Sequence, residues 1–187
     1  MFLETKEELE KFLLQDNIGE QMIIHEKQIG ERFPDMKKCI GFPQNNIHHH
    51  LDVYRHTALA LSFCNKSIDL RLALFFHDIG KPVCFQDELC GVRHFRGHPI
   101  VSAQITRKIL IELGYDDKYI KKIVMYVKNH DDIVTKRNIG KKIKMMGYKK
   151  VGQLLKMQEC DARAHHPAKV EKRLNYLSEI KAFYKNI

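Results

Sequence analysis

The sequence predicts an all-α fold organised around one short helix that is buried on every side. The stretch from Asp69 to Pro82 is apolar at almost every position until an imidazole, a carboxylate and an ammonium group appear at its end. In the other segments apolar residues recur at intervals of three and four, and no segment alternates convincingly as a β-strand. A chain of 187 residues with 44% hydrophobic residues can form one domain with a substantial core.

Capping residues, and stop signals such as glycine and proline, delimit the predicted helices in chain order. In the first half they are a helix capped by Thr5 and the helices at 20–32, 52–63 and 69–80. In the second half they are the helices at 99–113, 116–130, 138–146 and 149–164, and a last one that starts at His166-Pro167. Residues 35–46 are predicted to be mostly loop, and residues 82–97 to be a binding loop or disordered.

Charge and composition narrow the class of protein. The net charge is +9 with a pI near 9.3, and the excess lies in residues 118–156, where it would attract phosphate groups or form a solvated lysine-rich surface. The N-terminus is acidic and no apolar run is long enough for a membrane span, so we expect neither export nor membrane insertion. Five cysteines without a CxxC pair fit reduced thiols in a cytoplasmic protein.

Four polar residues fall where helix periodicity predicts burial, on three helices that can pack side by side. They are His56, His77, Asp78 and Asp161. A buried aspartate is rare unless it is paired or bound to metal. Two imidazoles and two carboxylates can hold Mn, Fe, Co, Ni, Zn or Mg while leaving positions for water and a phosphate oxygen. The sequence therefore predicts a divalent-metal site.

Further candidates lie close to this group in the sequence. We expect Lys81, with His94 and Arg96 of the 82–97 segment, to engage phosphate. His98 and His130 lie at a helix start and a helix end, where they could bind a second metal ion or contact phosphate directly. The run at 48–50 precedes a helix cap, and the pair at 165–166 marks a helix junction, so ligation is disfavoured there and capping or surface roles are expected.

The order His56, then His77-Asp78, then Asp161 resembles the HD superfamily of metal-dependent phosphohydrolases, whose signature is H…HD…D on a helical bundle. Five segments, in the same order along the chain, closely resemble the HD domain attached to bacterial tRNA nucleotidyltransferases, the CCA-adding enzymes. They are residues 43–46, 49–57, 70–82, 94–98 and 161–165. The resemblance implies that the four residues are metal ligands. It also implies hydrolysis of 2′,3′-cyclic, 2′-nucleotide or related phosphates. The histidines at 98 and 130 are similar to those of the two-metal HD branch that cleaves dinucleoside polyphosphates.

These observations together predict one HD domain over residues 1–187, with residues 1–34 forming N-terminal helices that pack on a core at 35–187. We expect a phosphohydrolase with one or two divalent ions, in which Asp78 and Lys81 are catalytic and the substrate is a nucleotide or related phosphoester. The alternative is a non-catalytic module that binds RNA or a nucleotide and keeps a structural metal ion. Because these 187 residues lack the paired aspartates behind a Gly-Ser turn of a nucleotidyltransferase head, we do not expect them to add CCA.

Overall fold

The computed structural model describes residues 2–87 and 91–187, and these residues form an all-α bundle, as predicted. The first half contains α1 (Lys6–Leu13), α2 (Ile18–Ile24), α3 (Glu26–Arg32), α4 (Pro34–Lys37), α5 (Val53–Ser62), α6 (Ile68–Phe76) and α7 (Lys81–Cys84). The second half contains α8 (His98–Glu112), α9 (Asp117–Asn129), α10 (Ile139–Met146), α11 (Tyr148–Arg163) and α12 (Pro167–Lys185). None of these helices combines the length and apolar character that a membrane crossing requires.

The central helix predicted from the sequence is α6. Every residue from Leu70 to Phe76 is buried, and the helix packs against α1, α5, α8, α9 and α11. The helix was predicted at 69–80, with Asp69 as the residue that caps it, but its N-cap is Ser67. The Asp69 carboxylate lies in the first turn and pairs instead with Lys122 on α9, 2.8 Å away. The capping predictions for Thr5 and Asp52 are confirmed, because both side chains accept a backbone hydrogen bond.

One charged residue interrupts the apolar surface of α6. Arg71 is buried, and its guanidinium donates hydrogen bonds to four backbone carbonyls that end neighbouring segments. The acceptors are Leu13 O at 2.6 Å, Gln15 O at 2.7 Å, Cys64 O at 2.9 Å and Asn65 O at 3.0 Å. Arg71 therefore satisfies groups that would otherwise be buried without partners, which is costly in a protein interior.

Two boundaries in the N-terminal third differ from the prediction. The helix expected at 20–32 is two helices that meet at His25, whose ring stacks on Phe2 with centroids 4.8 Å apart. Beside this break, the Met22 carbonyl accepts a 2.6 Å hydrogen bond from the Tyr54 hydroxyl. Pro34, expected only to stop a helix, is the first residue of α4, a position where proline needs no N–H donor.

The segment predicted as irregular at 82–97 contains regular structure. It includes α7 and two antiparallel strands, β1 (Gln86–Asp87) and β2 (Arg93–His94), which pair Gln86 with His94. The expectation of no strand was wrong here because two residues are too few to show alternation. A hydrogen bond from Arg93 N to Asn45 O, 3.0 Å, ties β2 to the loop before α5. The division into residues 1–34 and a core at 35–187 stays a prediction.

A close backbone contact positions the start of α8 against the turn that follows α6. Gly80 lies in this turn, and a Cβ atom there would stand 2.7 Å from Ser102 N and 3.0 Å from His98 O. The Gly80 N–H donates to Ser102 Oγ at 2.9 Å. Glycine is therefore required for the turn to approach α8, and this approach brings the first residue of α8 next to the residues that end α6.

Replacing Arg71 tests its role in closing these segments. We expect Arg71→Met to lower the free energy of unfolding by about 3 kcal/mol, because it leaves several buried carbonyls without donors. Arg107→Met, at an exposed arginine of α8, should stay within about 0.5 kcal/mol of the wild type. Urea unfolding followed by circular dichroism measures both, and equal midpoints for the two variants would contradict the assignment.

Candidate metal centre

Four buried histidines are held in one orientation by hydrogen bonds from Nδ1 to backbone carbonyls. The pairs are His56 with Ala164 O at 3.2 Å, His77 with Leu74 O at 2.6 Å, His98 with Phe95 O at 2.8 Å and His130 with Val127 O at 2.7 Å. A carbonyl can only accept, so Nδ1 carries the hydrogen in each ring. Each Nε2 then points into a common space, which is the usual arrangement of metal-binding histidines.

The first group of ligand atoms comes from α5, α11 and the turn after α6. Asp161 Oδ1 lies 2.8 Å from His56 Nε2 and 3.4 Å from His77 Nε2. Asp78 Oδ2 lies 3.2 Å from His77 Nε2 and 3.7 Å from His56 Nε2. The structure thus brings together the four residues that the sequence indicated as ligands of a first metal ion, although the Asp161 side chain keeps 21% of its surface exposed.

The second group shares Asp78 and adds the histidines that begin α8 and follow α9. Asp78 Oδ1 lies 3.1 Å from His98 Nε2 and 3.5 Å from His130 Nε2, and these two nitrogens are 3.2 Å apart. Because both Nδ1 atoms donate to carbonyls, two neutral rings would face each other with lone pairs. A cation or a proton between the two nitrogens removes this repulsion. Gln158 supports the arrangement by donating to His130 O at 2.9 Å.

Unpartnered polar atoms test whether these residues fit a metal ion. His77 Nε2 and both carboxylate oxygens of Asp78 are buried and make no hydrogen bond of acceptable geometry, although charged groups surround them. Within residues 2–87 and 91–187, the ligand atoms of His56, His77 and Asp78 lie within 4.8 Å of one another, as do those of Asp78, His98 and His130. Imidazole nitrogens and carboxylate oxygens suit first-row divalent metals. The donor set therefore fits one or two divalent ions.

The charges of the metal-free site are strongly coupled. Burial opposes ionisation of Asp78, but the nearby charges of His77 and Lys81 outweigh it and hold the pKa of this carboxyl well below its ordinary value. Burial likewise opposes charge on His77, yet the Asp78 and Asp161 carboxylates raise its pKa to about 10. For His56, burial dominates and lowers the pKa, so this ring is neutral. In the metal-free site, the positive charge of the His77 imidazolium therefore compensates the nearby carboxylates, as a bound metal ion would.

Lys81 completes the charged group. Its ammonium is buried, 2.7 Å from Asp78 Oδ2, and donates a 2.7 Å hydrogen bond to Gln44 Oε1. Gln44 is itself buried and donates to Leu51 O, so the loop before α5 holds the lysine in place. The ammonium is therefore fixed beside the carboxylate that both groups of ligand atoms share.

The remaining predicted phosphate-binding residues lie further out. His94 is half-buried on β2, and Arg96 is exposed in the loop before α8. Among the contacts between described residues, neither side chain hydrogen-bonds or pairs with a candidate metal ligand. Three phenylalanines lie in this region instead, with Phe42 5.4 Å from Phe85 and 6.4 Å from Phe95 between ring centroids. Lys81 Nζ is 5.4 Å from the centre of the Phe95 ring, so the aromatic cluster adjoins the site.

Sequence reasoning missed two histidines that border the site. The His165 ring stacks on His56 at 5.8 Å, and its Nε2 lies 3.4 Å from Asp161 Oδ2. His49 packs against both rings, at 4.7 Å from His56 and 4.8 Å from His165. The expected capping or surface role is confirmed for His166, whose Nδ1 accepts from Ala168 N. His165 was expected to have such a role as well, but its side chain is only 18% exposed and contacts Asp161 and His56. The available signal was the spacing of four residues between Asp161 and His165, although His165 lies two residues beyond the end of α11.

Comparison with known proteins identifies the family. Residues 46–171, about two thirds of the chain, match the HD domain family. The chain is 30% identical over 136 residues to a CC-adding tRNA nucleotidyltransferase of Thermus thermophilus, covering 68% of this chain and 31% of that protein. It is 35% identical over 103 residues to an A-adding tRNA nucleotidyltransferase of Deinococcus radiodurans, covering 52% and 24%. The chain thus spans less than a third of the length of these relatives. On the family match, the chain belongs to the HD domain family.

Proposed function

We propose that this protein is a metal-dependent phosphohydrolase that cleaves a nucleotide or related phosphoester. The observation that carries the proposal is the pair of Nε2 atoms of His98 and His130, which face each other at 3.2 Å with both hydrogens on Nδ1. This arrangement requires a cation or a proton, and the adjacent carboxylate oxygens of Asp78, which make no hydrogen bond of acceptable geometry, would supply further metal ligands. We expect the ion to be Mn, Fe, Co, Ni, Zn or Mg, with one or two ions per chain.

Each part of the site has a separate task in this proposal. A divalent ion held there would lower the pKa of a bound water and neutralise charge on a phosphoryl group. His56, His77, Asp78 and Asp161 would hold the first ion, and Asp78, His98 and His130 the second. The Lys81 ammonium, fixed by Gln44, would attract a non-bridging phosphate oxygen. Its position beside Asp78 supports the expectation that both residues are catalytic.

The aromatic cluster of Phe42, Phe85 and Phe95 supports a nucleotide as the substrate. Phe85 keeps 42% of its surface exposed, and Phe95 contacts the same Lys81 that pairs with Asp78. Aromatic rings stack on any nucleobase, and such stacking contributes about 1–3 kcal/mol per base. A base on this cluster would place its phosphate toward Lys81.

The second candidate is a non-catalytic module that binds RNA. It is favoured by five exposed lysines on α10 and α11, none of which pairs with a carboxylate in the described part of the chain: Lys141, Lys144, Lys149, Lys150 and Lys156. The relatives carry tRNA in their names. This candidate predicts affinity for RNA that falls steeply with salt and no release of phosphate.

Replacing Asp78 removes the residue that both groups share. We expect Asp78→Ala to lose bound metal and to lower phosphate release from 2′-AMP by at least about 10²-fold, because neither ion keeps its full ligand set. Asp131→Ala is the matched control, because Asp131 is an exposed aspartate that also directly follows a histidine, His130. This variant should keep both the bound metal and the phosphate release. Metal content by mass spectrometry and circular dichroism accompany the assay. An Asp78→Ala protein with full metal and full rate would falsify the proposal.

Metal binding should release a proton at His77. The raised pKa of about 10 means that this imidazole is protonated at pH 8, whereas a metal ion needs it neutral. We expect calorimetric titration with Zn²⁺ at pH 8 to give heats that depend on the ionisation enthalpy of the buffer. The proton release declines as pH rises through about 10, where half of the metal-free rings are already neutral. His50→Gln, in an exposed histidine, should behave like the wild type. Heats independent of buffer would contradict the charged His77.

Removing an aromatic ring tests the nucleotide assignment. We expect Phe85→Ala to raise KM for 2′-AMP roughly tenfold, because one stacking surface is lost. The KM for ribose 5-phosphate, which has no base, should change little. Phe63→Ala is the matched control, because the exposed fraction of Phe63, 45%, is close to the 42% of Phe85. Phe63 lies at the end of α5, outside the cluster. Equal effects on both substrates would count against base stacking at Phe85.

A further inference from the structure

His49 and His165 occupy the rim of the metal centre on the side of Asp161. The two rings lie 4.8 Å apart at their centroids and both pack on the ring of His56. The residues next to them are joined by a backbone hydrogen bond, in which His166 N donates to His48 O at 2.7 Å. This bond ties the loop before α5 to the junction of α11 and α12. The pair is therefore a fixed part of the site, although neither residue is needed for the two ligand groups.

The exposure of the site residues shows where a substrate enters. The side chains of Asp161 and His165 are 21% and 18% exposed. The side chains of the other ligand candidates and of Lys81 are at most 8% exposed. The opening thus lies beside Asp161 and His165. A substrate that reaches the buried ligand atoms through this opening passes beside these two residues.

The two rings offer polar atoms at this opening. His49 Nδ1 is buried and has no hydrogen-bond partner. His165 Nε2 lies 3.4 Å from Asp161 Oδ2, at the edge of the ligand group. A buried nitrogen without a partner is costly unless a ligand satisfies it. The arrangement suits an oxygen atom that is bonded to the phosphorus of a substrate.

We propose that His49 and His165 hydrogen-bond the oxygen that links phosphorus to the leaving group. This inference rests on the proposed hydrolase function and adds two substrate-contacting residues to it. In the reaction, the oxygen of water forms a bond to phosphorus, and the bond from phosphorus to the leaving oxygen breaks. The electron pair of the broken bond stays on the leaving oxygen. The attacking water loses a proton to solvent, and the leaving oxygen takes up a proton from solvent. Hydrogen bonds at this oxygen stabilise the charge that develops there.

Two substrates with different leaving groups test the inference. 2′-AMP releases an alkoxide, which needs this stabilisation, whereas p-nitrophenyl phosphate releases a phenolate that disperses its own charge. We expect His165→Ala and His49→Ala to lower kcat for 2′-AMP by about 10²-fold while kcat for p-nitrophenyl phosphate changes little. His165→Gln keeps a donor and should recover part of the loss. His50→Ala, in the exposed neighbouring histidine, should leave both substrates unaffected, and all variants should keep the wild-type metal content.

A binding measurement gives a readout that does not depend on turnover. In the Mg²⁺-loaded protein, addition of 2′-AMP should shift the imidazole ¹⁵N resonances assigned by the His49 and His165 variants, but not those of His50. Shifts without metal-dependent turnover would retain the contact and overturn the hydrolase function. The leaving-group role would be overturned if turnover depends on metal but the variants keep the wild-type ratio of kcat for 2′-AMP to kcat for p-nitrophenyl phosphate. It would also be overturned if the variants lose the bound metal.

Discussion

The architecture of this protein depends on keeping the Asp78 carboxylate buried among four imidazoles. An ionised carboxylate in a protein interior is tolerated only with compensating charge or metal. Here the compensation comes from four different segments: α5, the residues that follow α6, α8 and the residue after α9. The site can therefore form only when these segments pack together. Gly80 at the turn and Arg71 on α6 serve this packing, one through a close backbone contact and the other by satisfying the ends of neighbouring segments.

The orientation of the histidines has both a local and a long-range origin. His77, His98 and His130 each donate from Nδ1 to the carbonyl three residues earlier, at the end or start of a helix. The last carbonyls of α6 and α9 have no partner within their helices, and Phe95 lies in the loop before α8, so the local backbone fixes these three rings. His56 lies inside α5, where the nearby backbone carbonyls already accept hydrogen bonds of the helix. Its Nδ1 therefore donates to Ala164 O, 108 residues away. The position of His56 consequently depends on the docking of α11 against α5.

The site also differs in character on its two sides. Toward Lys81 it is buried and bounded by the loop of Gln44 and the aromatic rings at 42, 85 and 95. Toward Asp161 it is partly exposed and bounded by two further histidines. This asymmetry distinguishes a closed end, suited to a phosphate and its counter-charge, from an open end through which a substrate reaches the ligand atoms.

The helical fold, the buried central helix and the residue types of the candidate metal centre were all predictable from local patterns in the sequence. Periodicity, caps and stop signals act over a few residues, so they are readable without a structure. Only the tertiary structure decided which outer residues face the site. Gln44, His49 and His165 approach it because segments distant in the chain pack together, while Arg96 remains exposed although it lies next to His98 in sequence. The break at His25 likewise adjoins long-range contacts of Phe2 and Tyr54, which local patterns do not record.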